Sequence, residues 1–382
     1  MSKSRAECKL ALEKFLEKSI RERVYPGAVV GVLWPGGDQT MVAVGRTRYG
    51  DEAGIGQTLT RPVSIESVFD TASITKSVVT TTLSLLAVER GWWELDQPLA
   101  ELVPWQEQLV AWGQRSALFE TETITLHHLL THSLDMANLR MSALKDLPAD
   151  QIRARLLGAV LTTPPGLKHT YINSTSILNS LILETLARHH GQAENLAELF
   201  ESWLVEPLQL ESSWLGGVEA GRDRIAPSEL DPWRGREILG EIHDESAWKF
   251  AQAGQLVGSA GLFSSAPDLL KFLAWLRDLP SQSALAPSKL AQSQLMESTV
   301  AVGLGWELAP REWLGQAVSP TTIGKTGFTG CSLSLDSTSG LGVVFLNNHI
   351  YPRRPADREV ITRNRAALHD LIISFVPQEF SR

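Results

Sequence analysis

The sequence has few cysteines, no long apolar run and no concentration of basic residues. Of its 382 residues only Cys8 and Cys331 are cysteines, and their separation along the chain excludes a disulfide-stapled scaffold. No apolar stretch approaches the roughly 20 residues that a membrane-spanning helix needs, so no membrane span is expected. The net charge is −8, which argues against nucleic acid as the main partner.

The N-terminal segment lacks the apolar core of a secretory signal. Residues 1–24 are charged throughout and have the spacing of an amphipathic helix. The simplest expectation for the compartment is therefore the cytoplasm. A leader removed from the chain would change that expectation.

Three familiar motifs are also missing. Gly-x-Ser-x-Gly does not occur, so an α/β-hydrolase would have no nucleophile elbow. Residues 324–326 read Gly-Lys-Thr, like the end of a phosphate loop, but the glycine needed five positions earlier is Ser319. His128 and His132 lack the glutamate of a zinc-binding helix, which favours structural packing. No metal or cofactor is predicted.

The apolar patterns divide the chain into three parts. After the N-terminal helix, residues 28–35 and 40–45 predict a hairpin, and 46–64 a loop. A long central part has mostly helical spacing, and the last hundred residues return to short strands before a closing helix at 357–376. We therefore predict an α+β fold, in which a mainly antiparallel sheet built from both chain ends is flanked by terminal helices and carries a large helical insert.

This pattern predicts two domains, because 382 residues exceed one typical core. Residues 1–72 and 290–382 would form the discontinuous sheet domain and 73–289 the mainly helical domain, with the active site at their junction. The predicted central helices span 76–90, 126–132, 148–156, 174–189, 196–205 and 267–277. The predicted late strands span 305–309, 321–327, 331–337 and 340–348.

The first chemical signal is Ser-x-x-Lys, formed by Ser73 and Lys76 at the start of an apolar helical run. A serine nucleophile needs a base within reach. Lys76 lies one turn on and on the same face, and it can serve if burial or a nearby cation lowers its pKa. The helix N-terminus would offer N–H groups to an oxyanion. Alone the motif is weak, since serine is also a common helix cap.

The second signal is Tyr171-Ile172-Asn173, which precedes a predicted helix. Two nearby lysines would favour the phenolate of Tyr171, which could accept the serine proton and return it to a leaving group. Asn173 could hydrogen-bond a substrate amide or hold the lysine. The ordinary alternative is a buried tyrosine and a capping asparagine.

The third signal is Lys-Thr-Gly at residues 325–327, on a predicted late strand. The positive charge of Lys325 could bind a substrate carboxylate. It would also lower the pKa values of Lys76 and Tyr171. Gly327 allows a close backbone approach. The N–H of Phe328 could then join that of Ser73 in an oxyanion hole.

In this order the three motifs resemble the serine β-lactamase and penicillin-binding-protein superfamily. The closest resemblance is to the class C β-lactamase branch with its family VIII esterases, where Tyr-x-Asn is the middle motif. It covers nearly the whole chain, including the stretches PGAVVGVL, FDTASITK, ITLHHLLTHS and GSAGLFSSAPDLLKF. The resemblance implies Ser73 as acylated nucleophile, Lys76 as its proton partner and Tyr171 as general base and acid. It also implies substrate-binding roles for Asn173, Lys325, Thr326, Gly327 and Phe328.

Two features depart from relatives. Relatives usually carry Ser-Gly after Thr-His, whereas residues 133–135 read Ser-Leu-Asp, which bears on the loop beside the cleft and not on the chemistry. Some esterase-like relatives replace the lysine of Lys-Thr-Gly, so its retention here favours substrates with an anionic group such as a carboxylate. The side chains of the cluster at 243–245, His-Asp-Glu, could support the cleft or titrate in it, but a structural loop network is favoured, because neighbouring residues cannot all face one site. Cys331 is expected to be a small buried hydrophobe.

The sequence thus predicts a serine hydrolase that forms an acyl-enzyme on Ser73 and cleaves an ester, amide or β-lactam. Two possibilities stay open: a β-lactamase or D-amino-acyl peptidase, and a carboxylesterase. The missing signal peptide argues against a periplasmic β-lactamase or peptidase, whereas Lys325 argues for one. Acyl transfer to another acceptor would use the same chemistry, and a covalent sensor would acylate without turnover. The expected partner is a small-molecule substrate, and the sequence sets no oligomeric state.

Overall fold

A computed structural model gives the structure of the chain. It describes residues 4–50, 60–114, 123–136, 139, 144–218, 222–292, 301–357 and 359–377. Of the predicted loop at 46–64, residues 51–59 lie outside these ranges. Within the described ranges, no helix combines the length and the apolar content needed to cross a bilayer.

The main sheet is antiparallel and is built from both ends of the chain. Its six strands lie in the order β2-β1-β11-β10-β9-β8, so the first hairpin pairs with the last strands. In chain order the described strands are β1 Gly27–Leu33, β2 Gln39–Gly45, β3 Phe69–Asp70, β4 Trp214–Leu215, β5 Leu230–Asp231, β6 Arg236–Glu237, β7 Leu262–Ser264, β8 Glu307–Leu308, β9 Thr322–Thr326, β10 Ser332–Asp336 and β11 Gly342–Asn347. The fold class predicted from the sequence is confirmed.

Most of the helices lie at the two ends of the chain or between the two groups of main-sheet strands, and α11 lies between β8 and β9. In chain order those described are α1 Arg5–Arg21, α2 (a π-helical turn Lys76–Thr81 continued by Thr82–Glu89), α3 Val103–Ala111, α4 Leu126–Leu130, α5 Ala149–Leu157, α6 Asn173–His189, α7 (Leu196–Phe200, Glu201–Val205 and Glu206–Leu208), α8 Glu245–Gln252, α9 Ala266–Arg277, α10 Pro287–Leu290, α11 Arg311–Leu314 and α12 Glu359–Ile373. Short 3₁₀ turns occupy Leu99–Glu101 and Arg222–Arg224.

The terminal helices α1 and α12 cover one face of the sheet. Helix α1 begins with a capping box, in which Ser4 Oγ accepts from the N–H of Glu7 at 3.2 Å and the Glu7 carboxylate accepts from the N–H of Ser4 at 2.6 Å. Its apolar residues Cys8, Leu12 and Leu16 recur every four positions and are fully buried. Burying each leucine stabilises the fold by about 1.5–3 kcal/mol.

The opposite face of the sheet packs on helix α9 and the rest of the helical part. Strand β1 alternates, so Val30 belongs to the apolar cluster under the terminal helices and Val29 to the cluster on the helical side. A Cβ at Gly31 would lie 2.9 Å from Leu270, which shows how closely α9 crosses β1. Strands buried on both faces explain why β1 is apolar throughout.

A second small sheet, in the order β3-β7-β4, brings the Ser-x-x-Lys segment next to the loop at 258–261. Strand β3 leads directly into Ser73, and β7 follows the loop at 258–261. A Cβ at Gly258 would lie 1.9 Å from Thr80 Oγ1, so this loop lies directly on helix α2.

Four of the described helices were absent from the sequence prediction: α3, α8 and the four-residue helices α10 and α11. Helix α3 buries only Trp105 and Leu109, and α8 buries Ser246, Ala247 and Phe250. Neither α3 nor α8 therefore has the long apolar stripe by which a helix is predicted from sequence. The predicted central helices and late strands otherwise appear within about three residues of their expected ends. The division into 1–72 with 290–382 and 73–289 stays a prediction.

Candidate active site

Ser73 lies in a strained turn between β3 and α2. The preceding residue, Ala72, has φ +49°, a left-handed conformation that costs a non-glycine residue about 1–3 kcal/mol. The buried carboxylate of Asp70 holds this turn by accepting from the N–H of Ala72 and from the N–H of His243, each at 2.8 Å. The turn ends as Lys76 begins the π-helical start of α2.

Lys76 is buried and faces the serine. Its Nζ donates to Ser73 Oγ at 3.0 Å and to the carbonyl of Ser259 at 2.6 Å. Burial, assisted by the charge of Lys325, lowers the pKa of Lys76 more than the opposing interactions with Tyr171 and Asp244 raise it. A lysine with a lowered pKa can take a proton from a serine hydroxyl.

Tyr171 lies between the two lysines. The centre of its ring is 4.2 Å from Lys325 Nζ and 5.5 Å from Lys76 Nζ. Tyr171 is nearly half exposed, but the desolvation of its hydroxyl would still raise its pKa; the two ammonium groups and a hydrogen bond with Ser73 outweigh this effect and lower the pKa. The buried ring of His132 packs against the tyrosine with 4.9 Å between centroids. This environment favours the phenolate.

Lys325 lies on β9 and has a carboxylate partner. Its Nζ is 3.4 Å from Glu307 Oε1, and Glu307 lies on the neighbouring strand β8, where it pairs with Gly324. Burial would lower the pKa of Lys325, but Tyr171 and Glu307 outweigh burial and raise it. Lys325 therefore stays charged. Its predicted contact with a substrate carboxylate stays a prediction, and Glu307 would compete with that carboxylate.

The end of β9 abuts the nucleophile turn. A Cβ at Gly327 would lie 2.2 Å from the carbonyl oxygen of Thr71, so only glycine allows this approach. Phe328, the next residue, lines the same clefts as Ser73. The pair of N–H donors expected from these two residues stays a prediction.

A buried arginine that the sequence analysis missed fixes the segment after β9. The guanidinium of Arg365, on α12, donates to the carbonyls of Gly327 and Cys331 at 3.0 Å and to that of Gly330 at 3.1 Å. Three accepting carbonyls allow the charge to remain buried. The terminal helix therefore supports the strand end that borders the site.

Asn173 is held by a residue whose role the sequence left open. Its Nδ2 donates to Asp244 Oδ2 at 2.7 Å and to Ser246 Oγ at 3.3 Å. Asp244 also caps α8 by accepting from the N–H of Ala247 at 2.9 Å. Because Asp244 lies 71 positions from Asn173 along the chain, the local sequence gave no sign of this contact.

The other two members of the 243–245 cluster form the expected structural network. His243 Nε2 lies 2.7 Å from Glu229 Oε2, and Arg354 bridges Glu229 at 3.0 Å and Glu245 at 3.1 Å. The ring of Phe328 is stacked on His243 with 5.5 Å between centroids and lies 5.1 Å from the guanidinium carbon of Arg354. This network holds the Phe328 ring at the mouth of the site.

Leu134 and Asp135, which differ from the residues usual in relatives, anchor the loop that carries Tyr171. Leu134 is fully buried. The carboxylate of Asp135 accepts from Thr162 Oγ1 at 2.6 Å, from Lys168 Nζ at 2.8 Å and from Thr170 Oγ1 at 3.3 Å. These bonds tie the loop after α4 to the segment entering Tyr171. The sequence analysis gave no role to Asp135.

Two clefts open beside Phe328, and Ser73, Tyr171, Phe328 and Arg354 line both. The polar cleft has a volume of about 240 Å³, and its further lining is Ala72, Asn173, His243, Asp244, Glu245 and Ala260. The second cleft has a volume of about 300 Å³, and its further lining is Thr326, Gly327, His349, Ile350, Pro355, Ile361, Thr362 and Arg365. The serine can therefore be reached from two chemically different sides.

Cys331 behaves as the expected small hydrophobe. It is fully buried, and burial raises the pKa of its thiol to about 11. Within the ranges that the structure describes, no group of three or more His, Cys, Asp or Glu side chains is placed to hold a metal ion.

A serine beside a buried lysine, a tyrosine between two lysines, and an antiparallel sheet joined to a helical part define the serine β-lactamase and penicillin-binding-protein class. The sequence profile of the Beta-lactamase family matches residues 12–366. The chain belongs to this family.

Known relatives are distant. A putative D-alanyl-D-alanine carboxypeptidase of Salmonella paratyphi B is 25% identical over 239 residues, which cover 56% of this chain and 53% of that protein. The chain thus spans about half the length of the curated relatives that it matches.

Solved structures share the fold. EstCE1, a hydrolase with promiscuous acyltransferase activity, superposes with a TM-score of 0.72 at 21% identity, covering 97% of this chain and 100% of its own. Simvastatin synthase (LovD) from Aspergillus terreus superposes with a TM-score of 0.70 at 17% identity, covering 96% of this chain and 98% of its own. The protein thus has the β-lactamase fold of a family of hydrolases and acyltransferases.

Proposed function

We propose that the protein is a serine hydrolase that forms an acyl-enzyme on Ser73 and cleaves an ester, amide or β-lactam bond. The observation that carries this proposal is the 3.0 Å hydrogen bond between Lys76 Nζ and Ser73 Oγ in a site that also contains Tyr171. A lysine with a lowered pKa and a tyrosine with a lowered pKa supply proton acceptors beside the serine.

In the acylation step, Ser73 Oγ attacks the substrate carbonyl carbon while its proton passes to the Lys76–Tyr171 pair. The carbonyl π electrons move to oxygen, and the N–H groups of Ser73 and Phe328 would stabilise the oxyanion. The tetrahedral intermediate then collapses. The bond to the leaving group breaks, and Tyr171 returns the proton to it.

In the deacylation step, water attacks the ester carbonyl on Ser73 and gives its proton to Tyr171. The bond between the acyl carbon and Ser73 Oγ breaks, and the serine recovers a proton from the same pair. Lys325 takes no proton in this scheme. Its fixed charge stabilises the phenolate, and with Thr326 it would contact the polar end of the substrate.

Acyl transfer is the second candidate, because Ser73 borders two clefts. A bound alcohol or amine could enter from one side while the acyl group occupies the other. EstCE1 has promiscuous acyltransferase activity and LovD is a synthase, so the fold accommodates such outcomes. The acceptor would replace water in the second step, and it would lose its proton to Tyr171 in the same way.

The proposal is tested by incubating the protein and Ser73→Ala with a chromogenic cephalosporin, p-nitrophenyl acetate, p-nitrophenyl butyrate and a D-alanyl-D-alanine peptide. Product release and intact mass are followed together. We expect turnover of at least one substrate and an acyl adduct that the variant lacks. Adding an alcohol acceptor would divert product from acid to ester if acyl transfer competes.

The outcomes separate the candidates. Ester turnover without cephalosporin turnover would identify an esterase, and the reverse a β-lactamase. A stable adduct without product would identify a covalent sensor. Activity that persists in Ser73→Ala would refute the mechanism.

A further inference from the structure

The orientation of the Asn173 amide is set by its neighbours. An asparagine side chain has two donor hydrogens on Nδ2 and an acceptor at Oδ1. Asp244 is ionised, since hydrogen bonds from Ser246 and Ala247 and the charge of Lys76 lower its pKa in spite of burial. A carboxylate only accepts, so the Asn173 atom 2.7 Å from Asp244 Oδ2 must be the nitrogen.

In this orientation, the only group of the Asn173 side chain that remains for a ligand is the acceptor Oδ1. One Nδ2 hydrogen serves Asp244 and the other serves Ser246 at 3.3 Å. Oδ1 has no hydrogen-bond partner among the residues that the structure describes, and Asn173 lines the polar cleft. A ligand group that binds there must therefore donate a hydrogen bond.

The charges around the polar cleft favour the same kind of group. Asp244 and Glu245 both line it. The cation in its lining, Arg354, already pairs with Glu229 at 3.0 Å and Glu245 at 3.1 Å. The second cleft has no carboxylate among its described lining residues. The two clefts thus differ in charge.

We propose that the polar cleft selects acyl donors that carry an ammonium or hydroxyl group beside the reacting carbonyl, and that Asp244 determines this specificity through Asn173. The group would donate to Asn173 Oδ1, while the leaving group would lie in the second cleft. Ser73 and Asn173 line the same cleft, so a group that reaches Asn173 Oδ1 lies close to the carbonyl that Ser73 attacks. This inference rests on the proposed function, because it names the substrate class of that site.

The test uses three benzyl esters of nearly equal shape, those of alanine, lactic acid and 2-methylpropanoic acid, the first two as both enantiomers. Release of benzyl alcohol gives kcat/KM, and each value is divided by the hydroxide-catalysed rate constant to remove intrinsic reactivity. We expect the better enantiomer of the alanine and lactic esters to exceed the 2-methylpropanoic ester by about tenfold or more, the effect of one hydrogen bond. Equal normalised values would overturn the proposal.

Variants then locate the cause. Asp244→Ser can still cap α8 but is too short to hold the amide, so the normalised preference for donors should fall by about tenfold. Asp244→Asn keeps an acceptor without the charge, so it should lose the alanine advantage and keep the lactic one. Asp223→Asn removes an exposed carboxylate outside both clefts and should change neither.

Two failures are distinguishable. A donor preference that persists in Asp244→Ser and in Asn173→Ala would overturn the inference while leaving the acyl-enzyme intact. Absence of turnover and of an adduct with all three esters, or activity unchanged in Ser73→Ala, would overturn the proposed function and the inference with it. Should Asp244→Ser fail to fold, the wild-type ester series and Asp244→Asn still decide.

Discussion

The helix side and the sheet side of the cleft each contribute a buried lysine to Tyr171, but they hold it differently. On the helix side, Lys76 donates to two uncharged acceptors, Ser73 Oγ at 3.0 Å and the carbonyl of Ser259 at 2.6 Å. On the sheet side, Lys325 has a carboxylate, Glu307, at 3.4 Å. The pKa of the first lysine is lowered and that of the second is raised.

Burial alone does not explain this difference, since the two side chains are about equally buried, with residue exposures of 2% and 3%. Burial disfavours the charge of both lysines, and the partner decides the result. A lysine held by neutral acceptors can exchange a proton, whereas one beside a carboxylate keeps its charge. Lys76, on the helix side, should therefore accept and donate protons, whereas Lys325, on the sheet side, should supply a constant positive charge.

The largest effect is expected from replacing the helix-side lysine. Lys76→Met should lower kcat/KM for p-nitrophenyl butyrate by about 10³-fold, because the serine loses its proton partner. Lys76→Arg should be almost as impaired, since a guanidinium does not give up its proton. Exposed Lys271→Met serves as the control. Retention of more than a tenth of the activity in Lys76→Arg would show that charge alone suffices there.

Replacing the sheet-side lysine should have a smaller effect that depends on charge. Lys325→Met should lower kcat/KM by about 10²-fold, because Tyr171 loses a cation that favours its phenolate. Lys325→Arg keeps the charge and should recover most of that loss. Steady-state kinetics of both variants, with circular dichroism to verify folding, measures the difference. Equal losses in the two variants would contradict a purely electrostatic role.

Removing the carboxylate partner should move the pH profile. Glu307→Gln removes a negative charge that raises the pKa values of both Lys325 and Tyr171, so both should fall. The acid limb reports loss of the Tyr171 proton and the basic limb loss of the Lys325 charge, so both limbs of kcat/KM should shift to lower pH. The rate at the new optimum should change by at most about tenfold. A profile that stays in place would separate Glu307 from the catalytic groups.

The smallest expected effect concerns stability on the helix side. Gly258→Ala would place a Cβ 1.9 Å from Thr80 Oγ1, and overpacking of this kind lowers the free energy of unfolding by about 1–3 kcal/mol. Gly50→Ala is the matched control, because a Cβ there meets nothing within 4 Å. Thermal melts compare the two. An unchanged Tm in Gly258→Ala would show that the loop at 258–261 can move away from α2.

The sequence by itself determined the elements and the order of the chemistry. Ser73 and Lys76 are three residues apart, so the start of a helix fixes their contact whatever surrounds it. The short apolar runs of β1 and of the late strands, separated by turn residues, predicted the antiparallel sheet, and the glycine of Lys-Thr-Gly predicted a close backbone approach. These signals are local, because each depends on neighbours along the chain.

Only the tertiary structure decided which partner each catalytic group has. Glu307 reaches Lys325 across a strand pair, Asp244 reaches Asn173 over 71 positions, and the carbonyl of Ser259 reaches Lys76 over 183. Nothing in the local sequence says which side chain a distant segment will present, because that depends on how strands pair and helices pack. The motifs predicted the lowered pKa values of Lys76 and Tyr171, but the raised pKa of Lys325 depends also on Glu307, a partner that the motifs do not reveal.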